Sequence, residues 1–529
     1  MGIYLNPGDD KFFMDRQSEI YVDKSGLIAY LNRVFRTTER FVCVSRPRRF
    51  GKSMAANMIA AYYDHTADAE KNFQGMNIAH DANFHEHAGK YDVIHLNMQD
   101  FLSRTQDMPE FLNLLQKRVL RDLLKAYPEV DYFDDADLAE SMADVYESTR
   151  RPFVIVIDEW DCIFREYKDR KDWQEKYLDF LRTWLKDKAY VGLAYMTGIL
   201  PIKKYGTHSA LNMFREFSMI DAGPLAEYTG FTEAEVRELC QRYRMDFEEC
   251  KAWYDGYHFN EAGSIYSPRS VVQSMLSHKY STYWNQTETF EALKIYIDMN
   301  YDGLREAIIA LMAGERRQVD TSSFSNDMTT FTGMDDVLTL LVHLGYLAYD
   351  FDTESVFIPN QEILKEYASA TKAGGWDTVA KAIKASDQLL TDTLALQAEN
   401  VAAGLEAAHM ETSHLTYNDE NALAYTVSLA YYAARQKYTL IREFPTGKGF
   451  ADLVFLPKPH HADLPALLVE LKWDKGTDTA IRQIKEKGYL RALEGYVGKV
   501  LLVGVSYNKK TKNHKCLIEY VEIPITNHQ

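Results

Sequence analysis

Cysteine is scarce in this chain, and none of it stands in a metal-binding or redox motif. The 529 residues hold five cysteines, with no C-x-x-C pair and no histidine at metal-ligand spacing. We therefore expect neither a zinc site nor a disulfide framework. The chain also lacks an apolar run of membrane-spanning length, and its start lacks the basic and apolar segments of a signal peptide. These absences predict a cytoplasmic protein without a membrane partner.

Positive charge is in deficit overall but not at the C-terminal end. The net charge of −17 argues against bulk attraction to nucleic acid. Residues 435–516, however, carry 16 Lys/Arg against 8 Asp/Glu, a balance of +8, which leaves −25 on the rest of the chain. The sequence thus predicts a basic C-terminal unit attached to an acidic body.

The first part of the chain alternates short apolar runs with helical patterns. Strands are predicted at 41–45, 93–98, 153–159, 191–198 and 216–220, with helical stretches between most of them. This alternation is typical of an α/β domain with a parallel sheet. We assign residues 1–222 to a doubly wound P-loop domain that binds ATP with Mg²⁺.

A phosphate-binding motif lies between the first strand and the following helix. Gly51, Lys52 and Ser53 supply a helix N-terminus, a lysine for the β/γ-phosphates and a hydroxyl for Mg²⁺. Arg46 stands where the motif usually has its first glycine. Other residues expected at the nucleotide are listed last: Arg49, Phe50 and Met54. The loop arginines Arg46, Arg48 and Arg49 are candidates for phosphate contact or for a partner.

Two acidic residues end the apolar strand at 153–159. Burying charge is costly, so a buried strand that ends in Asp158 and Glu159 calls for a reason. Asp158 is predicted to hold Mg²⁺ and Glu159 to polarise the attacking water. Thr197 ends the next strand, where it can sense the γ-phosphate or simply cap the turn. Arg215 is a candidate arginine finger, although a surface role is the simpler interpretation.

The middle of the chain, residues 223–410, is predicted to be mainly helical. A Thr-capped helix is expected at 231–243, and a helix followed by a hairpin at 334–360 suggests a winged-helix-like element. A helical connector is expected over 361–410. No internal repeat or low-complexity tract is visible in the sequence.

The last part, residues 411–529, has the element order αβββαβ. A helix is predicted at 418–436, strands at 439–444, 452–457, 465–473 and 499–507, and a helix at 477–495. Two positions apart on a strand, Glu470 and Lys472 share a face, and a hairpin would bring Asp452 to them. Two carboxylates and a carbonyl can hold Mg²⁺, and the lysine can orient water. Gln483 can complete the site, with Glu420 and Glu443 as further carboxylates.

Several segments resemble a known family. RPRRFGKS, VIVIDEWD, TGILPI, SALNMFREF, GFTEAEV and WYDGYHF are similar to bacterial AAA-ATPase-like proteins. IREFPTGKGFADLVF, VELKW and QIKEKGY resemble the PD-(D/E)xK nuclease domain that is often fused to them. The resemblance implies a P-loop fold followed by a restriction-endonuclease-like fold. Related nucleases often carry Gln-x-x-x-Tyr, whereas here Lys487 replaces that tyrosine and Tyr489 follows two residues later.

The resemblance also implies site residues and cofactors. Phosphate binding falls on Gly51, Lys52 and Ser53, and Mg²⁺ binding with water activation on Asp158 and Glu159. The nuclease metal falls on Asp452 and Glu470, with Lys472 as the motif lysine. The sequence therefore predicts an ATP- and Mg²⁺-binding protein, with hydrolysis of ATP and of nucleic-acid phosphodiesters as its two activities.

A second interpretation stays open. The C-terminal domain can instead be catalytically silent and serve a nucleotide-controlled switch that binds DNA, RNA or another partner. The intact Asp452, Glu470 and Lys472 favour a nuclease, whereas the overall acidity and the altered helix motif favour a switch. The sequence leaves the oligomeric state open and does not separate DNA from RNA.

Overall fold

The structure is a computed structural model of the full chain. It describes residues 2–202, 211–284, 303–312, 314–325, 328–373, 377–411, 437–446, 449–458, 461–474, 476–486, 498–511 and 513–522, with six single residues between 411 and 437. The predicted helix at 418–436 lies almost wholly outside the described residues.

The chain divides into two compact units. The N-terminal unit comprises Met1–Leu304 with Arg316–Lys365, and the C-terminal unit comprises Arg305–Glu315 with Glu366–Gln529. The three-domain division at residues 222 and 410 stays a prediction.

Nineteen helices are numbered here in chain order over the described residues. They are α1 Asp10–Arg16, α2 Gly26–Val34, α3 Lys52–Tyr63, α4 Ala69–Phe73, α5 Phe84–His87, α6 Met98–Leu102, α7 Met108–Ala126, α8 Leu138–Thr149, α9 Cys162–Glu166, α10 Lys171–Leu185, α11 Glu233–Tyr243, α12 Phe247–Tyr254, α13 Pro268–Ser277, α14 Leu304–Met312, α15 Met334–His343, α16 Gln361–Ala373, α17 Asp377–Leu394, α18 Ala398–Glu411 and α19 Thr477–Glu486. None of these described helices has both the length and the apolarity needed to cross a bilayer.

Sixteen strands are numbered in the same way over the described residues. They are β1 Phe41–Ser45, β2 Asp92–Asn97, β3 Phe153–Asp158, β4 Val191–Gly198, β5 Arg215–Phe217, β6 Phe231–Thr232, β7 Tyr257–Phe259, β8 Gly263–Tyr266, β9 Arg317–Gln318, β10 Ala348–Asp350, β11 Ser355–Phe357, β12 Tyr438–Thr446, β13 Gly449–Pro457, β14 Ala466–Trp473, β15 Lys499–Asn508 and β16 Asn513–Glu522.

A parallel sheet forms the centre of the N-terminal unit. Its strand order is β2-β3-β4-β1-β5, and every pair in it is parallel. β1, β3 and β4 are buried along their whole length, which explains their continuous apolar sequences, because helices cover both faces of such a sheet. The parallel α/β prediction is confirmed. Since the carboxyl ends of parallel strands meet at one edge, the loops after β1, β3 and β4 come together there.

The annex after the sheet has its own small core. Thr232 caps α11 through a capping box with Glu235, as the sequence indicated. The core is built on α11, α12 and α13 and includes Val236, Tyr254 and Val271. A hairpin, β7–β8, follows α12 and was not predicted from the sequence. The expected helix and hairpin are present as α15, β10 and β11, with β9 added to the hairpin.

The C-terminal unit has a mixed five-stranded sheet in the order β12-β13-β14-β15-β16. Only the β14–β15 pair is parallel, and α19 makes the crossover between those two strands. Apolar clusters lie on both faces of the sheet, one including Leu453 and Val469 and the other Val454, Leu468 and Ile484. The last strand, β16, was missed because its sequence, NHKCLIEYVE, is interrupted by polar residues and its burial is partial.

Candidate nucleotide site and candidate nuclease site

The loop between β1 and α3 carries the phosphate-binding motif. Gly51 is the N-cap of α3, and its φ of 85° lies in the left-handed region that glycine adopts without strain. Arg49 also has a left-handed φ of 69°. The first-turn amides of α3 lack carbonyl partners within the helix, so they are available to an anion together with the positive end of the helix dipole.

Lys52 turns back over this loop. Its side chain is buried, and Nζ donates to the carbonyl oxygens of Arg46 at 3.0 Å and Pro47 at 2.8 Å. Burial lowers the pKa of Lys52, against the opposing charges of Glu159 and Asp158. The ammonium is therefore already directed into the loop, where phosphate oxygens can replace the two carbonyls.

Ser53 and Asp158 come together from the helix and from the end of β3. Ser53 Oγ donates to Asp158 Oδ2 at 2.6 Å, and Asn97 Nδ2, at the end of β2, lies 3.4 Å from the same oxygen. Burial raises the pKa of Asp158 to about 6, and the Ser53 hydrogen bond opposes that shift. A hydroxyl and a carboxylate in contact form a hard oxygen pair, which fits Mg²⁺.

Glu159 follows Asp158 with a left-handed φ of 55° and is held by an arginine. Arg165, on α9, forms an ion pair with Glu159, and its Nε lies 3.2 Å from Asp161 Oδ2. Asp161 Oδ2 also accepts the amides of Ile199 at 3.0 Å and Leu200 at 2.8 Å. Sequence reasoning missed Asp161 and Arg165, although an acid followed four residues later by an arginine on a helix is a usable signal.

Thr197 lies beside the two acids. In the sheet register it pairs with Asp158 on β3 and with Val44 on β1. The side chain is fully buried, and its Oγ1 finds no hydrogen-bond partner among the described residues. An orphaned hydroxyl at this place is compatible with contact to a bound polar group.

The loop residues expected at the nucleotide point in different directions. Arg46 is fully buried and donates from Nη1 to the carbonyls of Ser45 and Phe217, both at 2.9 Å. Arg49 donates to the carbonyl of Tyr283 at 2.8 Å. Phe50 packs edge-on against Tyr257, with ring centroids 5.5 Å apart. Arg46 and Phe50 thus tie the loop to its own scaffold and annex, which the sequence did not show.

A cavity of about 990 Å³ opens beside Lys52 and Ser53. Glu159 and Arg165 lie on its polar wall, while Arg269 enters from the start of α13. The cavity also has an apolar wall, to which the following contribute: Ile20, Tyr21, Val22, Met54, Met58 and Phe231. A phosphate-binding end and an apolar wall in one cavity match the two ends of a nucleotide.

The C-terminal unit brings its four predicted residues together. Asp452, on β13, accepts the Leu471 amide at 2.6 Å, which places its carboxylate against β14. On β14, Lys472 Nζ donates to Glu470 Oε1 at 2.8 Å. Gln483, on α19, donates through Nε2 to the same Glu470 oxygen. Glu470 and Lys472 are both buried, and Asp452 is half-buried.

The donor set of this cluster fits a hard cation. Two carboxylates and nearby carbonyl oxygens are ligands that Mg²⁺ accepts while it keeps several waters. Among the described residues no group of three or more His, Cys, Asp or Glu is placed to hold a metal, so the cluster offers two protein carboxylates. Glu420, Lys487 and Tyr489 lie outside the described residues, and the Glu443 side chain is not described.

Comparisons with known proteins agree with the two sites. Residues 11–207 match the model of the predicted AAA-ATPase family, and residues 419–516 match that of the PD-(D/E)XK nuclease superfamily. An uncharacterized protein in the vnfD 5′ region of Azotobacter chroococcum mcd 1 is 24% identical over 292 residues, which cover 54% of this chain. The match spans about half, 52%, of that relative's length.

Solved structures give only distant likenesses. The ORC2 protein of Aeropyrum pernix, solved as ADPNP–ADP complexes, matches with a TM-score of 0.31 and 11% identity, over 69% of this chain and 98% of that one. Cdc6p from Pyrobaculum aerophilum matches with a TM-score of 0.21 and 11% identity, over 69% and 97%. Such low scores carry no argument. The two family matches, in contrast, confirm the resemblance: the chain joins a domain of the predicted AAA-ATPase family to a domain of the PD-(D/E)XK nuclease superfamily.

Proposed function

We propose that the N-terminal unit binds ATP as its Mg²⁺ complex and hydrolyses it. The contact between Ser53 and Asp158, at the mouth of a cavity that Lys52 also lines, carries the proposal. These groups come from two separate strand ends, so their convergence is not a by-product of one short motif.

Each residue has a distinct part in this reaction. The α3 amides and Lys52 bind the β- and γ-phosphates, and Ser53 with Asp158 holds the cation. Bound Mg²⁺ supplies neutralisation of charge on the phosphates. Glu159 orients and polarises the attacking water, and Arg165 fixes the direction of that carboxylate. The apolar wall of the cavity receives the base.

Two substitutions separate binding from hydrolysis. Lys52→Ala is expected to weaken ATP binding measured by calorimetry at least about tenfold, because it removes the phosphate cation. Glu159→Gln is expected to preserve binding but to slow phosphate release about 100-fold or more. Lys117→Ala and Glu175→Gln remove exposed groups outside the cavity and serve as matched controls. Unchanged ATP affinity in Lys52→Ala would overturn the nucleotide proposal.

We also propose that the C-terminal unit is a Mg²⁺-dependent nuclease. The convergence of Asp452, Glu470, Lys472 and Gln483 supports it. Asp452 and Glu470 hold the cation, whose bound form stabilises charge on the scissile phosphate. Lys472 positions the attacking water, and Gln483 holds Glu470 in place. The positive balance of residues 435–516 favours contact with a phosphate backbone.

The alternative function is a nucleotide-controlled switch whose C-terminal unit binds without cutting. One observation favours it: Lys472 and Gln483 both contact the same Glu470 oxygen, so that oxygen is already engaged inside the protein. The two functions differ in one measurable property, which is cleavage of DNA or RNA by the wild-type protein in Mg²⁺.

A further inference from the structure

A second concave surface lies at the other end of the N-terminal sheet. The nucleotide cavity follows β1 and β3, whereas this surface is built from the segments that precede β1, β2 and β3. It is an open groove of about 850 Å³. We call it the basic groove after five of its lining residues: Arg33, Arg36, Lys90, Arg150 and Arg151.

Three of these cations have no carboxylate partner among the described residues. Arg33 and Lys90 are exposed and make no hydrogen bond or ion pair within that part of the chain. The Arg36 guanidinium binds the uncharged Tyr146 hydroxyl at 2.8 Å. Arg150 pairs with Glu147, and Arg151 Nη1 lies 3.7 Å from Asp92 Oδ2.

The groove therefore has a strong charge excess in an acidic protein. Five cations line it against one acid, Glu86, although the chain as a whole carries −17. Like charges held close together destabilise a fold unless an anion compensates them. A ligand that carries several negative charges is the natural complement.

An aromatic wall adds a second kind of contact. The ring centroids of Phe35 and Tyr91 lie 4.4 Å apart, and both residues are half-buried lining residues. His87 packs 5.0 Å from Phe35 and is hydrogen-bonded to the Tyr91 hydroxyl at 2.8 Å. These contacts hold the rings in fixed positions, where a flat ring can stack at little entropic cost.

We propose that the basic groove binds single-stranded nucleic acid, with phosphates on Arg33, Arg36 and Lys90 and a base against Phe35 and Tyr91. Cations along a groove combined with aromatic rings are the elements by which proteins hold single strands. A duplex hides its base faces and can use only the charges. The site is separate from the phosphate loop and from Asp452, so it does not rest on either activity proposed above.

A free nucleotide shares the chemistry of a strand, since it also has a phosphate and a base. We commit to the strand because the cations come from three chain segments, which suits several phosphates. The two sources are distinguished by competition. If the strand is the ligand, unlabelled dT12 displaces labelled dT12 far better than dTMP does at equal nucleotide concentration, whereas equal displacement identifies a free nucleotide.

The test uses the full chain and two variants of equal charge change. Arg33→Glu/Lys90→Glu removes the groove cations, and Arg104→Glu/Lys117→Glu reverses one exposed arginine and one exposed lysine elsewhere in the same unit. Affinity for labelled dT12 and for an RNA of equal length is measured by fluorescence anisotropy across a salt series. The basic C-terminal unit is unaltered in both variants, so any binding there is common to them.

The groove variant is expected to bind at least about tenfold more weakly than the control variant, and to lower the salt slope by about 1.4, or 0.7 per phosphate contact. Ultraviolet crosslinking of the wild-type complex is expected to mark peptides containing Phe35 or Tyr91. Equal affinities and salt slopes in the two variants, with no crosslink in those peptides, would overturn the proposal.

Discussion

Arg165 forms an ion pair with Glu159, the carboxylate proposed to polarise the attacking water. The same guanidinium contacts Asp161, which in turn binds the amides of Ile199 and Leu200 after β4. Arg165 is 8% exposed, so solvent screens these contacts weakly. The direction of Glu159 is thus tied to the segments after both β3 and β4.

Replacement of Arg165 should slow ATP hydrolysis more than it weakens binding. Arg165→Ala leaves Glu159 without its fixed direction, and a misplaced catalytic group costs up to about 100-fold in kcat. It also leaves Asp161 buried without its cation, which should lower the free energy of unfolding by about 3 kcal/mol. Arg165→Lys keeps the charge and should recover stability before kcat. Steady-state phosphate release and chemical unfolding test this, and a kcat that rises in Arg165→Ala would show that the contact restrains Glu159 instead.

Arg46 is expected to serve the fold and not the nucleotide. Burial lowers its pKa to about 10, and its guanidinium lies 5.2 Å from the Phe259 ring centroid, directed away from the cavity. Arg46→Ala opens space in a packed region and should cost about 3 kcal/mol of stability. Arg46→Met keeps the length without the charge and should retain most of it.

The ATP affinity of Arg46→Met is the decisive measurement for that residue. The guanidinium does not line the nucleotide cavity, so calorimetry should give an affinity within about threefold of the wild type, a difference below 1 kcal/mol. A large loss of affinity in a stably folded Arg46→Met variant would restore the interpretation that Arg46 contacts phosphate.

The elements around the nucleotide site were predictable because their signals are local. β1 and β4 have the predicted bounds, since a wholly buried parallel strand is a continuous apolar run. The motif order likewise placed Ser53 and Asp158 at one sheet edge. In the C-terminal unit, the two-residue period of strands put Glu470 and Lys472 on one face, and their contact at 2.8 Å agrees with it.

Features that depend on distant packing could not be predicted. The direction of Arg46 is set by the Phe217 carbonyl, 171 residues away, which no local pattern encodes. The anchoring of Arg49 on Tyr283 spans 234 residues. The basic groove was also missed, because its cations are scattered over three segments and the average charge of the chain is negative. Charge counted along a sequence does not report charge gathered in space.

Glu362 should make stability depend on pH near neutrality. Its buried carboxylate accepts the amides of Tyr283 at 2.5 Å and Trp284 at 2.9 Å, yet burial dominates and raises its pKa to about 7. Because the folded pKa exceeds the unfolded one, the folded state holds the proton more tightly. Stability is therefore highest below pH ~4.5 for this group and falls as pH rises to about 7, by about 3 kcal/mol in total.

Glu362→Gln isolates this effect from other titrating groups. The glutamine oxygen can still accept both amides, but it carries no charge at any pH. Chemical unfolding between pH 5.5 and 8 should show the wild type losing stability relative to Glu362→Gln as pH rises. Glu261→Gln removes an exposed carboxylate and should follow the wild type. Parallel curves for wild type and Glu362→Gln would contradict the prediction.

The last prediction separates a nuclease from a switch. Asp452→Asn and Glu470→Gln keep the shape and the hydrogen-bond acceptors of the two side chains but remove the negative charge that holds Mg²⁺. Both should abolish cleavage of DNA or RNA, because the carboxylates without the cation would repel the substrate. Lys472→Met should also lose cleavage, while Gln483→Ala, which only frees Glu470, should lose about tenfold.

Controls must show that the protein is folded and that the activity is its own. Asp463→Ala and Lys515→Ala remove exposed charges of the same unit and should cut like the wild type. ATP binding should survive in every one of these variants, because the phosphate loop belongs to the other unit. Cleavage that persists in all the site variants would place the active site elsewhere or reveal a contaminant. If the wild type cuts neither DNA nor RNA in Mg²⁺ or Mn²⁺, with or without ATP, the C-terminal unit binds without cutting, and the acidic pair serves the contacts of Lys472 and Gln483 alone.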